Sequence, residues 1–422
     1  MRPFVDLGLA ILRVLPSALF EPTYALAFWL VVLLVFLQYR RVAGMEEHLY
    51  GFVKNHPGHQ TFLAAAQGLV GGLIGSLILV FVGVSLSGAG IQYLLPVALL
   101  LYLLSPRLMC FSYAGGIVSV LYLLFGFPRV SVGGIMALVA ILHLTESLLI
   151  RLSGHTCATP VVIRNQRREL VGAFSLQKFW PVPIVVLVLL AVPDPTQLGG
   201  LIEMPDWWPL LRANGLVNPE TAVYALLPVM AAVGYAEVAI TGGPRQVSRR
   251  TAGTLAAYSL VLLALAVAAS RAAWMEWPAA LFGPLGHELV VRRSLRREMR
   301  GEPWLRPAST GVRILDVMPG SPAAQLGIRP GDTLVSINGE SLYATYQVQE
   351  ILGRPHLWLE LAVRHPDGRY EHLVWRGQVE RLGIIPLPGA GEATEAQVRP
   401  ARSLLAAWLE RWWRRRRSPP PR

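Results

Sequence analysis

The residues able to do chemistry in this chain are few, and hardly any stand at a spacing an enzyme uses. A zinc protease built on a helix needs two histidines one turn apart with a glutamate base, the HExxH pattern. Residues 284–291, PLGHELVV, supply His287 and Glu288, but Val291 stands where the second histidine belongs. An intramembrane serine protease wants a Gly-x-Ser nucleophile and a histidine on a neighbouring segment. Gly83-Val84-Ser85 and His143 are the nearest pair, and the match is too short to define a site. A trypsin-like protease would need a soluble Gly-rich serine domain for which no segment has room. His143 and Glu146 lie one turn apart in ILHLTESLL, and Glu237 interrupts GYAEVAI. Ionisable groups inside apolar runs can serve proton or ion relays, but these stand toward the ends of their runs, where a structural role is expected. No inverted repeat of broken helices, the mark of many transporters, is evident. Cys110 and Cys157 are the only cysteines, so neither a disulfide framework nor a Cys-rich zinc site is available. The expectation is a chain with no catalytic residues, no metal ligands and no cofactor.

Composition says what must position these residues. Of 422 residues, 53% are hydrophobic and 15% charged, against about 25% charged in a soluble globule, and mean hydropathy is +0.46. Soluble, disordered and fibrous classes are excluded, and a polytopic α-helical membrane domain is expected over residues 1–291. Apolar stretches at 24–38, 62–86, 91–104, 109–126, 130–150, 179–192, 221–240 and 252–270 give about eight spans of roughly 30 Å of hydrocarbon. The run 7–20 is broken by Arg13 and Pro16 and reads as interfacial or half-crossing. Residues 274–291, broken by Pro278 and Pro284, suit a re-entrant or final crossing element. No cleavable secretory signal is evident. Glycines 68, 71, 72 and 75 with Ser76 read as a small-residue packing face.

One set of alternate loops holds Arg40, Arg41, Lys54, Arg107, Arg151, Arg164, Arg167, Arg168, Lys178, Arg245, Arg249 and Arg250. The other holds only Arg129, Arg212 and Arg271. The first set, including loop 151–178, is therefore expected to be cytoplasmic. If 274–291 crosses, the cluster Arg292, Arg293, Arg296, Arg297 and Arg300 and all that follows are cytoplasmic too; if not, the C-terminal domain lies outside. The net charge of +12 is read as orientation and anionic-lipid attraction rather than nucleic-acid binding.

After a basic linker, 292–303, the chain takes on the composition of a small soluble domain, 304–388. GVRILDVM (311–318) alternates as a strand. PGSPAAQLGI (319–328) gives a turn and short helix with Ser321 as N-cap and Pro322 at its first position. RPGDTLVSINGESL (329–342) is a turn, a strand and an Asn338-Gly339 hairpin turn. Residues 344–352 are helical in pattern, and 357–363 and 370–375 are strands joined at Pro366-Asp367-Gly368. This order resembles a bacterial PDZ domain, about a fifth of the chain. The resemblance implies a peptide-binding module in which an extended ligand adds to a strand edge. It also implies a carboxylate-binding loop, best matched by RLGIIPLP (381–388) in a permuted strand order. Leu382, Gly383 and Ile384 would contact the carboxylate, and Val348, Ile351 and Leu352 would line the side-chain pocket. The alternative is that these positions are ordinary core.

From 389 to 422 the chain reads as a linker followed by a basic amphipathic helix. Trp408, Trp412 and Trp413 stand on its apolar face, with Arg414, Arg415, Arg416 and Arg417 beside them. Such a helix suits an anionic lipid surface, with nucleic-acid binding or a solvated tail as alternatives. Residues 28–51 (FWLVVLLVFLQYRRVAGMEEHLYG), 153–184 and 284–291, followed by the PDZ-like domain, resemble the MinJ-type multi-pass PDZ proteins of Gram-positive bacteria. The resemblance implies a non-catalytic adaptor that positions cell-division proteins, linking the scaffold DivIVA to the inhibitors MinC and MinD. The alternative is an accessory subunit of a membrane proteolysis system, its PDZ domain binding substrate or protease.

Overall fold

The computed structural model describes residues 2–87, 90–192, 201–211, 222–377, 379–389 and 392. Helices α1 (Arg2–Val14), α2 (Ser17–Phe20), α3 (Pro22–Tyr50), α4 (Pro57–Val82), α5 (Ile91–Leu104), α6 (Phe111–Phe125) and α7 (Val132–Ser153) come first. A three-stranded sheet follows, β1 (Thr159–Arg164), β2 (Leu170–Ala191) and β3 (Ala222–Ala239), and then α8 (Pro244–Ala269) and α9 (Glu276–Arg300). Among the described residues, five helical segments are long and apolar enough to cross a membrane: Pro3–Phe20, α3, α4, α7 and α8; α5 and α6 are shorter. Leu26, Leu30, Leu33 and Leu37 of α3 stand exposed, as side chains facing lipid would. Helix α7, by contrast, is enclosed along most of its length.

The expectation of about eight spans is corrected here. The runs read as spans at 179–192 and 221–240 fall on β2 and β3, the facing strands of a long antiparallel hairpin, in register from Phe174 opposite Ala239 to Ala191 opposite Ala222. An apolar run bounded by turns does not by itself distinguish strand from buried helix. The β-branched density of IVVLV and the prolines at 181 and 183 favour the strand, since proline disrupts a helix interior but is tolerated on a strand edge.

That edge accounts for how such a strand sits in an apolar bundle. Beyond β1, the outward backbone of β2 meets α3, α4 and the segment after α4. The N–H of Phe179 donates to the Tyr39 hydroxyl at 3.4 Å, Val185 to Ser76 Oγ at 2.7 Å and Leu189 to Ser87 Oγ at 2.8 Å. Between them, Pro181 and Pro183 have no N–H to satisfy. The carbonyl of Leu187 accepts from the Leu86 N–H at 2.8 Å. A sheet edge without water is tolerated only when its polar groups are met in this way.

The small residues of α4 make the approach possible, on two faces. A Cβ on Gly68 would lie 2.0 Å from the Pro181 carbonyl oxygen, and one on Gly72 2.0 Å from that of Pro183. Four helical residues rise about 6.0 Å and two strand residues about 6.6 Å, so Gly68, Gly72 and Ser76 keep step with residues 181, 183 and 185. On the second face, Gly71 and Gly75 receive Leu149 and Thr145 of α7. The small-residue face thus packs on a strand as well as on a helix.

The C-terminal unit comprises β4 (Val312–Val317), α10 (Pro322–Gln325), β5 (Thr333–Ile337), β6 (Glu340–Ser341), α11 (Thr345–Leu352), β7 (Trp358–Arg364), β8 (Tyr370–Arg376) and β9 (Ile384–Leu387). The sheet runs β8-β7-β5-β4-β9, with β6 on β5. Ser321 caps α10 by accepting from the Ala324 N–H at 3.3 Å, and Asn338 and Gly339 both take positive φ, as a two-residue hairpin turn requires.

This unit is seated on the end of the membrane domain rather than hung from a free linker. Leu305, Leu315, Ile385 and Leu387 join the membrane domain's own core, and Lys54, between α3 and α4, pairs with Asp316 of β4. The Gly172 N–H of β2 donates to the Leu305 carbonyl at 3.0 Å. The Glu298 carboxylate of α9 accepts from the Ile240 and Thr241 N–H groups at 2.9 and 2.8 Å, fixing the end of β3 beside the last turn of α9.

Candidate functional site

β9 is the outermost strand of the C-terminal sheet. It pairs antiparallel with β4, from Arg313 opposite Leu387 to Val317 opposite Ile384, and no other strand pairs with it among the described residues. The loop before it, Arg381-Leu382-Gly383, is anchored at both carbonyls: Ala323 N–H donates to Leu382 O at 3.0 Å and Met318 N–H to Gly383 O at 2.8 Å. Gly383 has φ +79°, and a Cβ there would fall 2.2 Å from the Ser321 Cβ. Glycine is therefore required on two grounds, backbone conformation and space.

The six residues chosen from the sequence gather at this place, with a difference in character between them. Leu382, Val348, Ile351 and Leu352 are buried in one apolar cluster, with Ile384 packed against it. Val348 is only 4% exposed and Ile351 and Leu352 6% each, so all three are closed off from solvent. Glu392 stands against the start of α11, its carboxylate accepting from the Thr345 N–H at 2.7 Å and hydroxyl at 3.0 Å. A carboxylate at a helix N-terminus satisfies free amides there and complements the helix dipole. Sequence inspection missed Glu392, since nothing in its spacing marks it as a cap. Pro386 in β9 offers no N–H, so the outer edge is a ladder of limited length.

His365, at the end of β7, faces two carboxylates, Nδ1 to Asp332 at 2.8 Å and Nε2 to Glu371 at 2.9 Å. Hydrogen bonds to Asp332 and Glu371 raise its pKa above the ordinary histidine value. A raised pKa means that the folded state holds the proton more tightly than the unfolded chain. The resulting stability is complete below the ordinary value near 6.5 and is lost as pH climbs through the raised one. Protection factors of the β7 and β8 amides, with the intrinsic pH dependence of exchange divided out, should therefore be higher at pH 6 than at pH 8, and His365→Gln should abolish that difference. An undiminished difference in the variant would assign the effect elsewhere.

The remaining sequence candidates separate clearly. Glu237 is enclosed by donors, with Tyr235 Oη at 2.5 Å, Thr251 Oγ1 at 2.7 Å and the Ser294 hydroxyl, as a structural carboxylate would be. Ser85 Oγ accepts from the Ser87 N–H at 3.2 Å, while His143 faces Cys110 with Nε2 3.2 Å from Sγ, so the two do not make a catalytic pair. His287 reaches the same sulfur, its Nε2 3.8 Å away. Its companions come from α6 and α7, where a search along one helix could not find them. Trp408, Trp412, Trp413 and Arg414 to Arg417 lie outside the described residues.

Fold and site together define a PDZ domain joined to an apolar, helix-rich domain with membrane-span candidates. A family model described as a PDZ domain matches residues 313–362. Over 255 residues the chain is 23% identical to a probable cell division topological determinant MinJ of Lacticaseibacillus paracasei, covering 60% of this chain and 65% of that protein. The corresponding figures for the cell division topological determinant MinJ of Bacillus subtilis (strain 168) are 24% over 253 residues, 58% and 59%. The chain thus spans somewhat under two thirds of the length of the relatives it matches, and the MinJ-type resemblance of the sequence is upheld. A putative serine protease HhoB of Synechocystis sp. is 49% identical over 67 residues, 15% of this chain, a likeness confined to the PDZ region.

Proposed function

We propose that this protein is a non-catalytic membrane adaptor whose PDZ domain captures the C-terminus of a partner and holds it at the membrane surface. The observation that carries this reading is the outer edge of β9, unpaired by any described strand and led in by the Gly383 loop. A peptide adding to that edge gains main-chain hydrogen bonds, and its last side chain enters beside Val348, Ile351 and Leu352. Because Pro386 withholds one amide, the grip is confined to the final residues of the ligand. The similarity to relatives named for cell division topology supports a partner in cell division, and the proteins proposed for the groove are those of the DivIVA and MinC/MinD type. The basic loops and the Arg292 to Arg300 cluster favour a cytoplasmic PDZ domain, with the Trp/Arg tail as a second, lipid-binding anchor.

A second reading is favoured by the PDZ region's likeness to a putative serine protease: an accessory that presents substrate to a protease. Capture from gently solubilised membranes separates the two. Full-length protein should retain division proteins, and Gly383→Val, which strains the loop and collides with Ser321, should reduce their recovery at least about tenfold, the consequence of losing roughly 1.4 kcal/mol. Protease subunits retained instead would favour the accessory reading, and equal recovery by the variant would remove the groove from both.

A further inference from the structure

We propose that Cys110, His143 and His287 bind a soft divalent cation of the zinc class between α6, α7 and α9. The sulfur of Cys110 and one ring nitrogen from each histidine all lie within 4.8 Å of one another. A tetrahedral ion with bonds of about 2.3 Å to sulfur and 2.05 Å to nitrogen sets sulfur and nitrogen roughly 3.6 Å apart. The two observed separations, 3.2 and 3.8 Å, bracket that value.

Three further features point the same way. The Nδ1 of His143 lies 2.8 Å from the Val139 carbonyl. A carbonyl only accepts, so Nδ1 carries the proton and Nε2 turns its lone pair toward Cys110. This outer hydrogen bond is the kind that fixes the tautomer and orientation of a metal-binding imidazole. Cys110 is the N-cap of α6, and its sulfur accepts from the Ser112 N–H at 3.4 Å, which holds the side chain in place beside the two histidines. The His287 ring stands roughly perpendicular to those of Tyr113 and Tyr258, with centroids 5.2 and 5.9 Å away, which holds its Nε2 toward the same sulfur.

Soft sulfur with two imidazoles selects zinc-class ions over magnesium or calcium. Glu288 does not complete the set: its carboxylate is taken by Tyr113 Oη at 2.6 Å, Arg107 at 2.6 Å and Arg292. A fourth position therefore falls to water or another small ligand. On binding, the thiol releases its proton to solvent and the sulfur bonds the ion. The ion would tie α9, which leads directly into the PDZ domain, to α6 and α7. The site is independent of the adaptor reading.

The test uses the full chain in mild detergent, loaded with cobalt(II) and, separately, with zinc. Wild type should hold about one ion per chain and show the near-ultraviolet thiolate-to-cobalt charge-transfer band, which zinc displaces. Cys110→Ser should lose the band, His143→Gln and His287→Gln should hold several-fold less metal, and Cys157→Ser should behave as wild type. The proposal is overturned if wild type gives no band and no retained zinc, if the band survives in Cys110→Ser, or if Cys157→Ser alone removes it. The wild-type result decides the matter even where a variant folds poorly.

Discussion

Replacing Gly72 with leucine should leave the membrane domain unable to assemble. Even the first side-chain atom would lie 2.0 Å from the Pro183 carbonyl oxygen, and the obstructing atom belongs to a strand locked to β3 along its length. Overpacking of a core costs about 1–3 kcal/mol when side chains can yield; here backbone must move, and the 2.7 Å bond from Val185 to Ser76, one turn further on, moves with it. The variant should emerge from detergent extraction aggregated or at a small fraction of wild-type yield. Gly253→Leu is the matched control, since a Cβ on that exposed glycine of α8 meets nothing within 4 Å, and it should be close to neutral. A monodisperse Gly72→Leu protein with wild-type thermal stability would show that α4 and β2 are not in the contact described.

Glu46→Ala should release the PDZ domain from its seat. The Glu46 side chain is fully enclosed and its carboxylate accepts four hydrogen bonds. Lys54 N–H and Asn55 N–H donate at 2.9 Å each, Asn55 Nδ2 at 2.6 Å and Thr159 Oγ1 at 2.9 Å. Removing the acceptor strands four donors, each at about 1–3 kcal/mol if left unsatisfied, so the segment after α3 must rearrange to reach water. Lys54 leaves with it, and so does its ion pair with Asp316. Limited proteolysis between residues 301 and 311 should accelerate markedly in Glu46→Ala and less in Glu46→Gln, which keeps acceptor capacity on one oxygen. Cleavage at the wild-type rate in Glu46→Ala would mean that the seat rests on the apolar contacts of Leu305, Leu315, Ile385 and Leu387 and on the Gly172–Leu305 backbone hydrogen bond.

The PDZ domain was the most legible part of the sequence because its signals are local. Ser321 before Pro322, Asn338-Gly339 and the alternation through 312–317 each specify backbone geometry within a few residues. The resemblance to a permuted PDZ order also pointed to Leu382 and Gly383 in the loop before the edge strand β9 and to Ile384 at its start. The hairpin β2–β3 was not legible, since its apolar runs satisfy a helix and a buried strand equally. Pro181 and Pro183 were the residues that could have decided it. Cys110, His143 and His287 were each noticed singly. They stand 33 and 144 residues apart in sequence order, and only the packing of α6, α7 and α9 brings them together. Glu46 was hidden for the same reason: its four donors come from three places, and no one-dimensional pattern marks a carboxylate that organises a loop.

The covered edge of β2 also has a bearing on biogenesis. A strand released into hydrocarbon with bare amides would be strongly disfavoured, each unmet group costing several kcal/mol. Ribosomal synthesis runs from the N-terminus, so Tyr39, Ser76 and Ser87 are all made before the residues they cover, and β3 emerges last to close the remaining side. The chain order thus delivers a waiting template before the strand that depends on it. Moving α3 and α4 to the C-terminal side of the hairpin by circular permutation would keep every contact of the finished fold yet remove that template at the moment of insertion.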